Sequence, residues 1–357
     1  MKAKTKPRVG ISMGDPSGIG PEIIAASLRT AKVKAVLRPI VFGDAGIFRS
    51  QVFAGVNADL RAITSLRPGD RKPGRPSLAG GKAQLAYIEA AVDAARRCEI
   101  EAICTGPVSK EQITRAGTRF VGHTELLAAA FNREVLMLMD GPKLKVALAT
   151  NHLPLSRVPS ALSVPGLISQ LKLLSATLRP LLRRAPRIAV CGVNPHAGEG
   201  GFLGHEEAKV IGPAVRKARA AGVRCVGPFA ADGLFSLSGV MPYDVVLAMF
   251  HDQGLVVTKA LDFERTVNVT LGLPVPRTSP DHGVAYRLAG TGKASAQPMI
   301  HALLKAAELA ASPAAAAPRS FRQRLPPPVR RTPRGPGPAG AKDPRRAARR
   351  DGSRSGV

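Results

Sequence analysis

Short apolar runs alternate with helically spaced apolar positions along most of this 357-residue chain. Residues 8–13, 36–42, 100–104, 145–150, 188–193 and 245–250 read as strands, because short apolar runs bounded by turn residues suit a buried sheet. Helical spacing follows Pro21, recurs over 82–97, near 165–182 and 205–221, and returns over 296–310. Pro21 takes the first-turn position that proline favours. Residues 66–81, rich in Gly, Pro and Arg, read as a loop. The alternation predicts an α/β fold. From Ala311 the composition turns to Pro, Arg, Ala and Gly with little apolar surface to bury. That predicts a body over 1–310 and a disordered basic tail over 311–357. A polybasic tether is one reading of the tail, and a non-functional extension is the favoured one.

Three of the seven histidines stand just past strand-like runs: His152, His196 and His251. Ligands of open α/β sheets bind outside the carboxyl ends of strands, and neutral imidazole is the commonest metal ligand. Position alone therefore nominates the three as a metal site. His196 lies in a glycine-rich stretch, NPHAGEGG over 194–201, of the irregular kind that carries function on a rigid sheet.

Charge changes this picture little. The formal charge is +27, of which the tail carries +10 and the body +17. Such a field attracts anionic small molecules as well as polyanions. There is no Trp and only three Tyr, with no aromatic residues interleaved among the basic ones. A stacking platform for nucleic acid is therefore not expected. The cysteines Cys98, Cys104, Cys191 and Cys225 are scattered, without a paired spacing, which fits a reducing cytoplasm. No apolar run reaches the roughly 20 residues of a membrane span.

Several loops carry further chemistry. GDPSGIGPE over 14–22 lies between a strand and a helix, where backbone N–H groups can hold an anion. It fits neither the dinucleotide nor the P-loop glycine pattern, and a tight structural turn explains it equally well. His123 and Thr124 stand at a predicted helix start, with Thr124 as N-cap. Lys259, Asn268 and Arg277 are of the types that hold phosphate and carboxylate. A second glycine-rich stretch runs from Asp281 to Ala294.

Eight segments in order resemble the 4-hydroxythreonine-4-phosphate dehydrogenase family of pyridoxal phosphate biosynthesis: MGDPSGIGPEI (13–23), TGPVSK (105–110), GHTELL (122–127), ATNHLPL (149–155), CGVNPHAGEGG (191–201), FHDQGL (250–255), VNVTLGLP (267–274) and RTSPDHGVA (277–285). The resemblance covers about 8–310 and implies an isocitrate/isopropylmalate dehydrogenase-like fold, with two α/β subdomains and the active site in the cleft between them. It implies a homodimer whose subunits share each site, and NAD, with NADP as the alternative, bound without the usual glycine fingerprint. His152, His196 and His251 match divalent-metal ligands, one from the partner subunit, for Zn, Co or Mg. His123, Thr124, Lys259, Asn268 and Arg277 match substrate-binding positions. Asp281, His282, Gly283 and Gly290 fall in the cofactor region, and Lys259 and Asp232 are the two choices for proton transfer. The implied reaction is oxidation of 4-phosphooxy-L-threonine followed by loss of CO₂. The rival substrates are 4-phospho-D-threonate and 4-phospho-D-erythronate.

Overall fold

The computed structural model describes residues 5–236 and 242–312. Its strands are β1 (Arg8–Ser12), β2 (Arg38–Asp44), β3 (Asp59–Thr64), β4 (Ala102–Thr105), β5 (Leu136–Asp140), β6 (Lys145–Leu148), β7 (Ile188–Cys191), β8 (Cys225–Phe229), β9 (Val245–Ala248), β10 (Val267–Leu271) and β11 (Arg277–Pro280). They form one sheet in the order β3-β2-β1-β4-β11-β10-β5-β6-β9-β7-β8. The α/β class is as the sequence predicts.

Two parallel blocks flank an antiparallel centre. β3, β2, β1, β4 and β11 run one way, and β6, β9, β7 and β8 are parallel among themselves. Between them β10 is antiparallel to β11 and to β5, and β5 is antiparallel to β6. Three reversals mean that the two blocks point in opposite directions. The inner parallel strands are buried throughout their middle residues, as in Val9, Ile11, Val41 and Ile103 on one side and Val190 and Leu247 on the other, because helices cover both faces, whereas the edge strands β3 and β8 are only partly buried.

The antiparallel centre behaves differently. Side chains alternate between faces along a strand. In β10 the alternation places Val267, Val269 and Leu271 on one face and Asn268 and Thr270 on the other. In β11 it sets Arg277 and Ser279 opposite Thr278. Thr278 donates to the Ala302 carbonyl of the helix Gln297–Ala310 at 2.9 Å, which fixes that face as the helix side. The other face carries Asn268, Thr270, Arg277 and Ser279 together. The sequence reading did not separate β3, β5, β8, β10 or β11 as strands, although Val-Asn-Val-Thr-Leu alternates strictly. It also began β2 at Val36, which instead closes the short helix Ala31–Val36.

The 14–22 loop is an internal brace. The N–H of Asp15 goes to Pro107 O, that of Gly18 to Asp15 O, and that of Ile19 to Val284 O, at 2.9–3.1 Å. The Ser17 N–H goes to the Asp15 carboxylate at 2.8 Å. With those donors spent inside the protein the loop does not form an anion cradle, so its glycines are structural. Gly14 has φ +78°, and a Cβ there would lie 2.3 Å from Pro107 O. The Asp15 carboxylate also accepts from Gln84 Nε2 at 2.7 Å and from the Tyr286 hydroxyl at 2.6 Å. Gln84 Oε1 in turn accepts from Ser109 N at 2.7 Å. One buried carboxylate thereby ties the 106–110 and 281–286 loops to the first helix–strand junction.

Among the described residues no single helix is long and apolar enough to cross a membrane. All four cysteines are free. Beyond Ser312 the tail expected over 311–357 lies outside the described residues. Asp15→Ala leaves three donors without their acceptor, for a loss of roughly 3 kcal/mol or more of stability. A denaturant midpoint that falls at constant slope checks this.

Candidate active site

The polar face of the antiparallel centre forms the floor of a cleft of about 500 Å³. Thr105, Met137, Asn268, Arg277 and Ser279 of the sheet line it, with Lys110, His123, Thr124, His152 and Lys259 around the rim. All five residues expected to bind substrate (His123, Thr124, Lys259, Asn268 and Arg277) meet here, from four separate elements. Asp281, His282 and Gly283, expected at the cofactor, line the same cleft. Gly290 does not; its φ is +77° and a Cβ there would abut Pro73.

Arg277 dominates the electrostatics. It is 2% exposed. Its Nη2 and Nε donate to Thr105 Oγ1 at 2.6 and 3.2 Å, and Nη1 donates to Thr270 Oγ1 at 3.2 Å and Asn268 Oδ1 at 3.5 Å. These partners are all neutral. Burial pushes its pKa down to about 10, which leaves the guanidinium cationic at neutral pH. A buried charge without a partner is costly, and the cleft beside it is where an anion fits. Lys259 also faces the cleft, with Nζ 3.0 Å from Asp281 Oδ2.

His123 opens the helix His123–Phe131, so Thr124 is a buried first-turn residue and not the N-cap. Gly122 holds the cap position, and a Cβ there would lie 2.7 Å from Glu125 Oε2. His123 Nε2 is buried without a hydrogen-bond partner among the described residues. Burial, then the charges of Arg277 and Lys110, push its pKa well below the ordinary value, so it faces the cleft as neutral imidazole.

The three histidines follow β6, β7 and β9, and β9 lies between β6 and β7 in the sheet. His152 and His251 come together, with ring centroids 5.8 Å apart. Each has a carboxylate at Nδ1: Glu125 Oε1 at 3.4 Å from His152 and Asp252 Oδ1 at 2.7 Å from His251. That pattern leaves both Nε2 atoms without a partner among the described residues and is the arrangement usual behind metal-ligating imidazoles, so the donor set fits a divalent cation. The hydrogen bond from His152 holds the Glu125 carboxyl below the usual range.

His196 is exposed and stands apart, and among the described residues no group of three His, Cys, Asp or Glu is set to hold a metal. Its loop, Pro195–Gly201, has six successive positive φ angles from His196 onward, including His196 at +51°, Ala197 at +51° and Glu199 at +43°. Non-glycine residues there cost about 1–3 kcal/mol each. Buried Glu207 helps hold the loop by accepting from Val193 N and Asn194 N at 2.7 and 2.8 Å. Asp232 is exposed in the turn Ala231–Leu234 and does not line the cleft.

Residues 34–306 match the family described as pyridoxal phosphate biosynthetic protein PdxA. The chain belongs to this family. A 4-hydroxythreonine-4-phosphate dehydrogenase of Geobacter metallireducens is 45% identical over 331 residues, covering 86% of this chain and 96% of that protein. A relative from Clostridium botulinum, named provisionally as a D-threonate 4-phosphate dehydrogenase, is 36% identical and covers 85% of this chain and 97% of its own length. Among solved structures, a 4-hydroxythreonine-4-phosphate dehydrogenase from Burkholderia phymatum matches with a TM-score of 0.71 at 37% identity, over 86% of this chain and 99% of that one. The PdxA membership makes the chain an oxidoreductase of the isocitrate/isopropylmalate dehydrogenase-like fold class.

The sequence reading missed Thr105, Lys110 and Glu125 as parts of this site. Thr105 and Lys110 bound the TGPVSK stretch, and their signal was a Gly-Pro turn directly after a strand. Glu125 carried no signal of its own, since its partner His152 lies 27 residues away.

Burial holds His123, His282 and His301 below the ordinary histidine value of 6.5. Below that pH the unfolded chain binds protons that the folded chain refuses, so stability present above about 6.5 is lost as the pH falls. The melting temperature is expected to drop between about pH 7 and 5, less steeply in His123→Gln. A fluorimetric melting series over that range checks it.

Proposed function

We propose that the cleft binds a small phosphorylated hydroxy acid and oxidises it with a nicotinamide dinucleotide, NAD with NADP as the alternative. The substrate we assign is 4-phosphooxy-L-threonine; its C3 hydroxyl gives a hydride to the cofactor and its O–H proton to solvent and becomes a ketone, and the resulting 2-amino-3-oxo-4-(phosphooxy)butanoate loses CO₂ and takes up a proton to leave 3-amino-2-oxopropyl phosphate. The observation that carries this reading is Arg277, a buried guanidinium with only hydroxyl and amide partners at a cleft that also holds Lys110, His123 and Lys259.

Each residue has a role in the proposal. Arg277 neutralises the phosphate or carboxylate through its planar fork. Asn268 and Thr124 orient the substrate by hydrogen bonds, and neutral His123 adds a hydrogen bond without adding charge. Lys259 handles the proton: its ammonium donates to the carbon or oxygen that gains charge as CO₂ leaves, and Asp281 holds it in place. Of the two proton-transfer choices it is the one lining the cleft of its own chain. Asp281, His282 and Gly283 border the cofactor. His152, His251 and His196 would hold a divalent cation, for which all-imidazole ligation suits Zn or Co better than Mg. When bound, that cation supplies Lewis acidity to the reacting oxygens.

The separation of His196 from the other two, together with the surface around them, supports a homodimer with shared sites. An exposed apolar residue follows each histidine in the chain: Leu155 at 68%, Phe202 at 91% and Val256 at 63% exposure. In the proposed dimer a second copy brings its own His196 to the first copy's pair and covers these side chains. Phe202→Glu is expected to yield monomers with little turnover, as read by sedimentation beside a kinetic assay.

The second reading, oxidation of 4-phospho-D-threonate or 4-phospho-D-erythronate, draws on the Clostridium relatives. Kinetics with the substrates side by side separate the two. A strong preference for the phosphothreonate overturns our assignment. In either case Arg277→Lys removes the fork and is expected to cost about 100-fold in kcat/KM, the equivalent of one or two charge-assisted hydrogen bonds.

A further inference from the structure

We infer that Glu125 is a positioning residue that presents His152 to the metal through Nε2. The inference rests on the reading of His152 as a metal ligand. The helix His123–Phe131 sends three consecutive side chains to different tasks: His123 and Thr124 line the cleft, and Glu125 turns to the ring that follows β6. Its Oε1 lies 3.4 Å from His152 Nδ1. Its Oε2 is buried without a hydrogen-bond partner among the described residues, packed over the position where Gly122 lacks a Cβ. A Cβ at Gly122 would also come within 3.8 Å of His152 Cε1. Gly122, Glu125 and His152 thus form one contact set, for which glycine at 122 leaves the room.

The chemistry follows from the tautomer. Imidazole has one proton shared between two nitrogens, and an acceptor at Nδ1 keeps that proton there and leaves the Nε2 lone pair for a cation. A carboxylate that fixes the tautomer also fixes the ring plane. The same helical turn that carries His123 and Thr124 to the cleft thus also supplies the carboxylate behind the His152 ring.

The test uses the full chain, stripped of metal with chelator and titrated with Co²⁺ alone, followed by calorimetry and by the visible absorption of the cobalt. Glu125→Ala is expected to weaken Co²⁺ binding by about 10- to 100-fold. Glu125→Gln, whose amide oxygen still accepts from Nδ1–H, is expected to recover most of that loss, and the two metal-free variants should melt together. Wild-type affinity in Glu125→Ala, with binding lost in His152→Ala, overturns the positioning role and leaves the metal reading standing. Glu125→Gln binding as weakly as Glu125→Ala also overturns it, since charge and not hydrogen bonding would then be at work. Unchanged Co²⁺ binding in His152→Ala overturns the metal reading itself.

Discussion

Asp15 is a buried carboxylate with no cation beside it among the described residues, and the walls of the cleft depend on how its charge is met. Its acceptors are filled by the Ser17 amide, the Gln84 side chain and the Tyr286 hydroxyl, and Gln84 passes the constraint on to Ser109. Burial raises its pKa, which those hydrogen bonds counter. Hydrogen bonds to a charged acceptor are among the stronger ones a protein makes. They fasten the 106–110 and 281–286 loops, which bear Lys110 and the residues following Asp281, to β1 and the helix Leu78–Arg96. Polar groups of the cleft are thereby carried on loops with little freedom, as a pre-organised site requires.

The floor of the cleft follows from a different constraint. Parallel strands sandwiched between helices have no wet face, so they carry apolar residues on both sides. Antiparallel β10 and β11 alternate, and one of their faces is left to Asn268, Thr270, Arg277 and Ser279. The sheet thus spends stability on burying an unpaired guanidinium. The neutral hydroxyls of Thr105 and Thr270 reduce that cost without satisfying the charge. A carboxylate in their place would lower the cost further and close the site to anions. A comparable expenditure appears on the other side, where the left-handed turn at His196–Gly200 holds a histidine in strained backbone.

Much of the site was legible in the sequence, unevenly. Glycine and proline punctuation after apolar runs located the loops, and the three histidine positions followed from strand ends. The eight family-like segments supplied the substrate-binding positions, and those five residues do share one cleft. The 14–22 loop was left open between anion cradle and brace; its donors proved to be spent on Pro107, Asp15 and Val284. Hydroxyl residues favour the cap, which makes Thr124 the expected one from sequence. The cap is instead Gly122, since the helix begins one residue earlier, at His123.

By itself the sequence determined the α/β class and the strand-end placement of the histidines, because these depend on local periodicity and residue chemistry. Only the tertiary structure decided which of those residues meet. Arg277 and Thr105 are 172 residues apart, and Tyr286 and Asp15 are 271 apart. Those contacts arise from strand order and from the three reversals at the sheet centre, which no local pattern encodes. The same geometry pairs His152 with His251 and leaves His196 outside, since a sheet places neighbouring loops side by side but leaves the reach of each to its own backbone.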